Sequence, residues 1–218
     1  VNFTAANQTL TFKGNTALTG GADFGTYAST MVLDSTSGNL AVTGSTITGT
    51  NKGTISVTGG NTVAFSQALG TDTSSRVGAV NIANGATATF AQAVYTKDLV
   101  TSGTGSAVFN GNVYINGNFT VASGTLDFNS PVDITGATAS FGSSSTINFN
   151  SSLTGSFTYG GGSMTLGSSY TGTLSVGTSS GKITLNDGVN ITGGIDNTSG
   201  TPNSATLTLK GSSNISGS

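Results

Sequence analysis

The chain has 218 residues, only 6 % of them charged, a formal net charge of −2, and no Glu, His, Cys or Trp. The missing Cys excludes a disulfide framework and thiolate metal sites. The six basic residues, Lys13, Lys52, Arg76, Lys97, Lys182 and Lys210, are scattered along the sequence, which argues against nucleic acid and against an anionic membrane surface as partners.

The composition also separates this chain from a disordered one. Gly is abundant at 34 residues, but 34 % of the residues are hydrophobic, 11 of them Phe, and Pro occurs twice. Disordered chains are poor in such residues, and flexible linkers are commonly Pro-rich. No window shows a sustained helical period, and no apolar run approaches the ~20 residues of a membrane-spanning helix. The first ten residues lack a basic region followed by an apolar stretch, so no signal peptide is expected and the chain reads as a piece of something longer.

Strand-like runs bounded by Gly, Asn or Ser follow one another along the chain. They are expected at Thr9–Phe12, Thr54–Val57, Thr87–Phe90, Ala107–Phe109, Thr125–Phe128, Thr146–Phe149, Lys182–Leu185 and Ala205–Leu209. Each closes on a large apolar residue. The set is Phe12, Phe65, Phe90, Phe109, Phe128, Phe149, Leu166, Leu185 and Leu209, and from Phe90 onward its members recur at nearly even spacing. An apolar residue usually stands two positions before the anchor and another four after it. Some copies carry a third six after it, at Leu18, Ile115, Ile134, Ile191 and Ile215.

Self-similarity at a fixed period, here about 20 residues, marks a repeat architecture. Three short strands and three turns fit in that length, and side chains two apart share a face. The expected fold is all-β: a single-stranded, right-handed parallel β-helix, or β-solenoid, with coils of about 20 residues. About ten or eleven coils are expected at a rise of ~4.8 Å each. The nine anchors would form an internal core ladder, with Asn or Ser laddering at the corners. The whole chain, residues 1–218, is expected to be one domain, less regular over 1–60 and regular over 61–218. Antiparallel sandwiches and barrels also give many short strands, and Asn84-Gly85, Asn110-Gly111 and Asn116-Gly117 suit hairpin turns, so that alternative stays open.

Several of these strings carry a family resemblance. Thr58-Gly-Gly-Asn-Thr-Val-Ala-Phe65, Val80-Asn-Ile-Ala-Asn-Gly-Ala-Thr-Ala-Thr-Phe90, Ala107-Val-Phe-Asn-Gly-Asn-Val113 and Thr125-Leu-Asp-Phe-Asn-Ser-Pro-Val-Asp-Ile-Thr-Gly136 resemble the passenger domains of bacterial autotransporters. Among these the likeness is to the rickettsial outer-membrane surface antigens. The resemblance implies display on a bacterial cell surface and an adhesive or coat-forming role. The partner expected for that role is a host-cell surface protein or glycan; the alternative is a self-assembling layer or filament subunit, whose copies would meet through the open strand edges expected at the solenoid ends. Direct membrane insertion by this stretch is not expected.

Catalytic chemistry finds little support. Without His or Cys there is no His base for a Ser nucleophile and no usual zinc, copper or haem ligand set, and a Ser-Lys arrangement is only formally open because Lys97 and Lys182 sit in ordinary polar turn contexts. No catalytic, cofactor-binding or metal site is therefore expected, and the chain reads as a non-enzyme. The serious enzymatic alternative is a polysaccharide-cleaving carboxylate pair drawn from Asp98, Asp127 and Asp133. Asp127 is expected to leave the alternation unclean, with Leu126 turned outward or the pair at a strand edge. Asn186-Asp187-Gly188 reads as a turn, not a calcium loop. Tyr159-Gly-Gly-Gly-Ser163 lacks the Lys-Ser/Thr of a phosphate loop and reads as a flexible turn or a corner where bulk would clash. Thr-x-Thr strings at Thr71–Thr73 and Thr87–Thr89 would order water if they recurred at the coil period, which the sequence does not show.

Overall fold

Alternating apolar and polar residues leave each short strand with one face to bury, and parallel stacking of successive coils buries it. The computed structural model describes residues 1–14, 17–176, 180–196 and 205–216. Those residues form strands and turns and no helix. The strand ladders are parallel and wind into a β-solenoid of about 9 turns with coils of about 21 residues, fewer turns than the sequence suggested. Antiparallel hairpins play no part in these ladders.

Each coil contributes to three faces. The first runs through Thr9–Lys13, Thr30–Asp34, Lys52–Thr58 and Val77–Ile82. It continues into the end of Val94–Thr101 and the first halves of Asn118–Phe128 and Thr138–Phe149. It then resumes as a separate ladder of Phe157–Tyr159, Leu174–Val176 and Ile195–Asp196. The second face carries Leu40–Val42, Thr62–Phe65, Thr87–Phe90, Ser106–Phe109, the second halves of the two long strands, Gly162–Leu166, Gly181–Leu185 and Thr206–Leu209. The third is built of two- and three-residue pieces such as Val113–Ile115 and Val132–Asp133.

The core lies between the three faces and is predominantly apolar. Phe65, Phe90, Phe109, Phe128 and Phe149 stack in one continuous column, with centroids 4.6, 4.7, 4.8 and 5.1 Å apart and planes within 11° of parallel. Leu166 and Leu185 extend the column in register and are buried. A second aromatic group of edge-to-face contacts joins Phe119, Phe141, Phe157 and Tyr170. Such pairs add to what area burial alone contributes. The expected Asn ladder stands at the corner after the column: Asn129 Nδ2 donates to Asn110 Oδ1 and Asn150 Nδ2 to Asn129 Oδ1, each at 2.9 Å.

Two anchors behave differently from expectation. Phe12 is not in the column. It lies on the first face opposite Leu33, partly buried, while Leu18, opposite Val42, takes the anchor place of that coil. The reason is that the first and second faces both end on an apolar-x-apolar pair, so Leu10 and Phe12 imitate Val63 and Phe65. Leu209 is in register with Leu185 but remains 53 % exposed, because no further coil covers it among the described residues. Ile191 also shifts: it pairs with Tyr170, not at the level of Ile134, and buried Val189 is absorbed into a longer corner.

The stretch from Gly21 to Gly60, expected to fit poorly, forms coils paired in register through Thr30–Asp34, Leu40–Val42 and Lys52–Thr58. The registers Leu18↔Val42, Val42↔Phe65 and Phe65↔Phe90 each span a longer coil than the register Phe90↔Phe109 that follows them. The extra residues sit in corners, which is why the period looked broken. Gly53 shows how tight the inside is: at φ +79° it passes over Phe24, whose ring an added Cβ would overlap. Gly124, at φ +93°, turns the long strand Asn118–Phe128 from the first face to the second, where an added Cβ would meet the Gly105 carbonyl.

A candidate binding site at one corner of the solenoid

The fold separates the carboxylates that a polysaccharide-cleaving site would need together. Asp98 stands on the first face beside Ala79, Asp127 on the second beside Asn148, and Asp133 on the third beside Tyr114. Each has a structural partner. Asp98 Oδ1 accepts from the backbone and side-chain nitrogens of Asn118, Asp127 Oδ1 from Asn148 Nδ2 at 2.7 Å, and Asp133 Oδ1 from the Thr135 N–H at 2.8 Å. The alternation around Asp127 is clean after all: Leu126 and Phe128 are fully buried and Asp127 points out between them. No group of three or more potential metal-ligating His, Cys, Asp or Glu residues forms among the described residues.

The other sequence features resolve into structure. Asp187 Oδ1 accepts from the Ser212 N–H in the next coil at 2.8 Å, and Gly188 has φ +76°, as a turn requires. The glycines after Tyr159 are a corner where bulk clashes, since a Cβ on Gly162 would approach the Ser145 carbonyl at 2.5 Å. Tyr159 is buried there and its hydroxyl donates to the Gly162 carbonyl at 2.5 Å. Burial pushes the Tyr159 and Tyr170 hydroxyls above the usual tyrosine range. A file of hydroxyls does run along the outer side of the second face, through Thr62, Thr87, Ser106, Thr125, Thr146 and Ser163. The neighbouring file is broken by Val108, Asp127 and Asn148, so no double Thr row forms. Thr71–Thr73 lies in a corner loop.

That loop leads to the most distinctive site on the surface. Residues 71–76 are an insertion at the corner between the third and first faces. Asp72 organises them: its Oδ1 accepts from the Ser74 N–H at 2.7 Å, Ser74 Oγ at 2.6 Å and the Ser75 N–H at 3.0 Å. Those donors hold its carboxyl well below the usual carboxylate range. The loop delivers Arg76 into the corner. Arg76 is only 6 % exposed, its Nε donates to the Thr73 carbonyl at 2.8 Å, and it forms no ion pair with a carboxylate among the described residues.

Coil stacking places two more cations beside it. Lys52 pairs with Val77, the residue after Arg76, and Val77 with Thr96, the residue before Lys97. Half of the chain's basic residues therefore meet at one corner. They were missed in the sequence because they stand far apart in it, one per coil. Recurrence of a cation at the coil period is the one signal that would have found them. A depression of ≈ 310 Å³ is lined by Asn51, Lys52, Lys97 and Asn116. Asn51 holds a left-handed backbone, φ 56°, fixed by its N–H donating to the Arg76 carbonyl at 3.0 Å. A smaller depression of ≈ 60 Å³ shares Asn116 and adds Thr73, Arg76, Tyr114, Asp133 and Thr135.

A half-buried aromatic pair flanks the smaller depression, and its Tyr114 forms one wall. Tyr95 and Tyr114, on neighbouring coils, stack with centroids 4.3 Å apart and planes 5° from parallel. Partial burial raises the Tyr95 hydroxyl above its ordinary range, helped by Tyr114 and by the charge of Asp72. The corner thus combines a flat aromatic surface, cations, a carboxylate and amides, the mixture of apolar wall and convergent polar groups that small-molecule sites use.

Comparison of the chain with protein-family models, with curated proteins and with solved structures finds no match.

Proposed function

We propose that this chain is a non-enzymatic adhesive scaffold, a β-solenoid displayed outside a bacterial cell in the manner of an autotransporter passenger, that presents its corners to a host-cell surface protein or glycan. The observation that carries the reading is the corner of Lys52, Arg76, Lys97, Tyr95 and Tyr114, a built polar and aromatic surface on an otherwise regular stack. The resemblance of the Gly/Asn/Thr strings to rickettsial surface antigens supports the location. The separation of Asp98, Asp127 and Asp133 onto three faces favours a scaffold over a hydrolase. A stack of this kind holds its shape through contacts between neighbouring coils and needs no metal or disulfide. Beads coated with the purified chain are expected to bind cultured epithelial cells saturably and to be displaced by free chain; beads that bind no better than albumin-coated ones contradict the reading.

A second reading is end-to-end assembly of copies into filaments. Its physical basis is that parallel ladders of this kind can pair edge to edge with another copy wherever a strand is paired on one side only, as Thr206–Leu209 and Asn214–Ser216 are among the described residues. Fibres in electron micrographs of the purified chain, with light scattering that grows with concentration, are its expected outcome; monodisperse short rods oppose it.

A further inference from the structure

The stack of Tyr95 on Tyr114 is two-membered for a reason visible in the register. Rings in such a ladder lie across the long axis, so each face looks toward a neighbouring coil. Behind Tyr95 stands Gly70, so close that an added Cβ would approach Tyr95 Cβ at 2.8 Å. That side offers no side chain to continue the stack. On the other side Tyr114 faces Asp133, a shorter side chain, and the depression of ≈ 60 Å³ runs along the corner from Thr73 and Arg76, in the coil before Tyr95, past Tyr114 to Asp133. Tyr114 is thus a wall of a shallow depression whose ≈ 60 Å³ admits one edge of a sugar ring, the rest of which lies over its open mouth.

The groups around that depression both donate and accept. Arg76 brings a guanidinium that is nine-tenths buried, and its two terminal nitrogens meet no acceptor among the described residues. Asp133 uses Oδ1 for the Thr135 N–H, leaving Oδ2 with no protein donor among the described residues. An isolated anion would be attracted by Arg76 and repelled by Asp133. A sugar ring suits both: its hydroxyls donate to the carboxylate and accept from the guanidinium. Its C–H groups meet the negative face of the tyrosine ring. Across Asn116 the larger depression changes character, with Lys52 and Lys97 and no carboxylate in its lining.

We infer that this corner binds an acidic oligosaccharide: one pyranose rests against Tyr114 between Arg76 and Asp133, and a carboxylate or sulfate on the adjoining sugar is met by Lys52 and Lys97. This rests on the adhesive reading and gives it a ligand class and an address. Arg76 positions the first sugar and Tyr114 supplies its platform. The lysines select charge, and binding weakens as salt rises.

The test is saturation-transfer NMR and titration calorimetry on the full chain with three probes: 3′-sialyllactose, a heparin-derived tetrasaccharide and lactose. At least one acidic probe is expected to bind saturably, at least about fivefold tighter than lactose. The sialylated and sulfated arms tell carboxylate from sulfate. Tyr114→Ala is expected to weaken the acidic probe about tenfold, and Lys52→Ala with Lys97→Ala to reduce it to the level of lactose. Lys52 and Lys97 are exposed and Tyr114 is half-buried, so circular dichroism melting is expected to match that of the unaltered chain for the lysine variants and to fall by a few degrees for Tyr114→Ala, which stays folded at the temperature of the assay. The inference is overturned if no probe binds at about 5 mM, or if the variants bind as tightly as the unaltered chain. Bead adhesion by Tyr114→Ala separates the two levels. Undiminished adhesion overturns the sugar site and leaves the scaffold reading standing. Sugar binding lost in Tyr114→Ala, with no adhesion by the unaltered chain, supports the site and contradicts the adhesive role.

Discussion

The middle of the solenoid and its last described coil carry the same motif and bury it to opposite extents. Ala107 and Phe109 are almost fully buried between Ala88 and Phe90 on one side and Leu126 and Phe128 on the other. Leu207 and Leu209 occupy the same register against Ile183 and Leu185, yet stand 41 % and 53 % exposed. What differs is the coil above. In this architecture burial belongs to a pair of neighbouring coils and not to the strand that carries the side chain, so stability is built from coil-to-coil interfaces.

The comparison breaks most sharply at the Phe column. Phe109→Ala is expected to cost about 3–5 kcal/mol, since both faces of the ring lose a stacked partner; a loss under about 1 kcal/mol by chemical denaturation would remove Phe109 from the core. The next largest effect is a gain. Gln67 is 6 % exposed and neither its Nε2 nor its Oε1 has a protein partner. Gln67→Met keeps the volume and removes both orphaned groups, and it is expected to stabilise by about 1–2 kcal/mol in the same assay; destabilisation would show that the amide is satisfied. Asn129→Ala breaks two links of the corner ladder at once and is expected to cost about 1 kcal/mol. Leu209→Ala, on the uncovered coil, is expected to change stability by less than about 0.5 kcal/mol. A cost near that of Phe109→Ala would mean that another coil covers Leu209 in solution, which is also what end-to-end assembly requires.

The sequence made the column legible where coils are short, nearly even in length, and each closes on Phe or Leu. Phe65, Phe90, Phe109, Phe128, Phe149, Leu166 and Leu185 all stand where their spacing put them. Phe12 was misplaced because two faces of one coil share an apolar-x-apolar ending, and nothing local distinguishes Leu10–Phe12 from Val63–Phe65. Leu209 shows a second limit, since its motif matches Leu185 and it is exposed because no coil covers it among the described residues. The corner site was hidden for a third reason. Lys52, Arg76 and Lys97 become neighbours only after coils of unequal length are brought into register, and the Asp72 turn that makes them unequal looks like any other Ser/Thr loop.

Coil-to-coil burial as the source of stability is tested most directly by amide hydrogen exchange read along the chain. The account predicts a graded profile: the strongest protection in Ser106–Phe109 and the second half of Asn118–Phe128, which have a paired coil on each side, and markedly faster exchange in Thr206–Leu209 and Asn214–Ser216, which are paired on one side only. Uniform protection from the Phe column through Leu209 would contradict it.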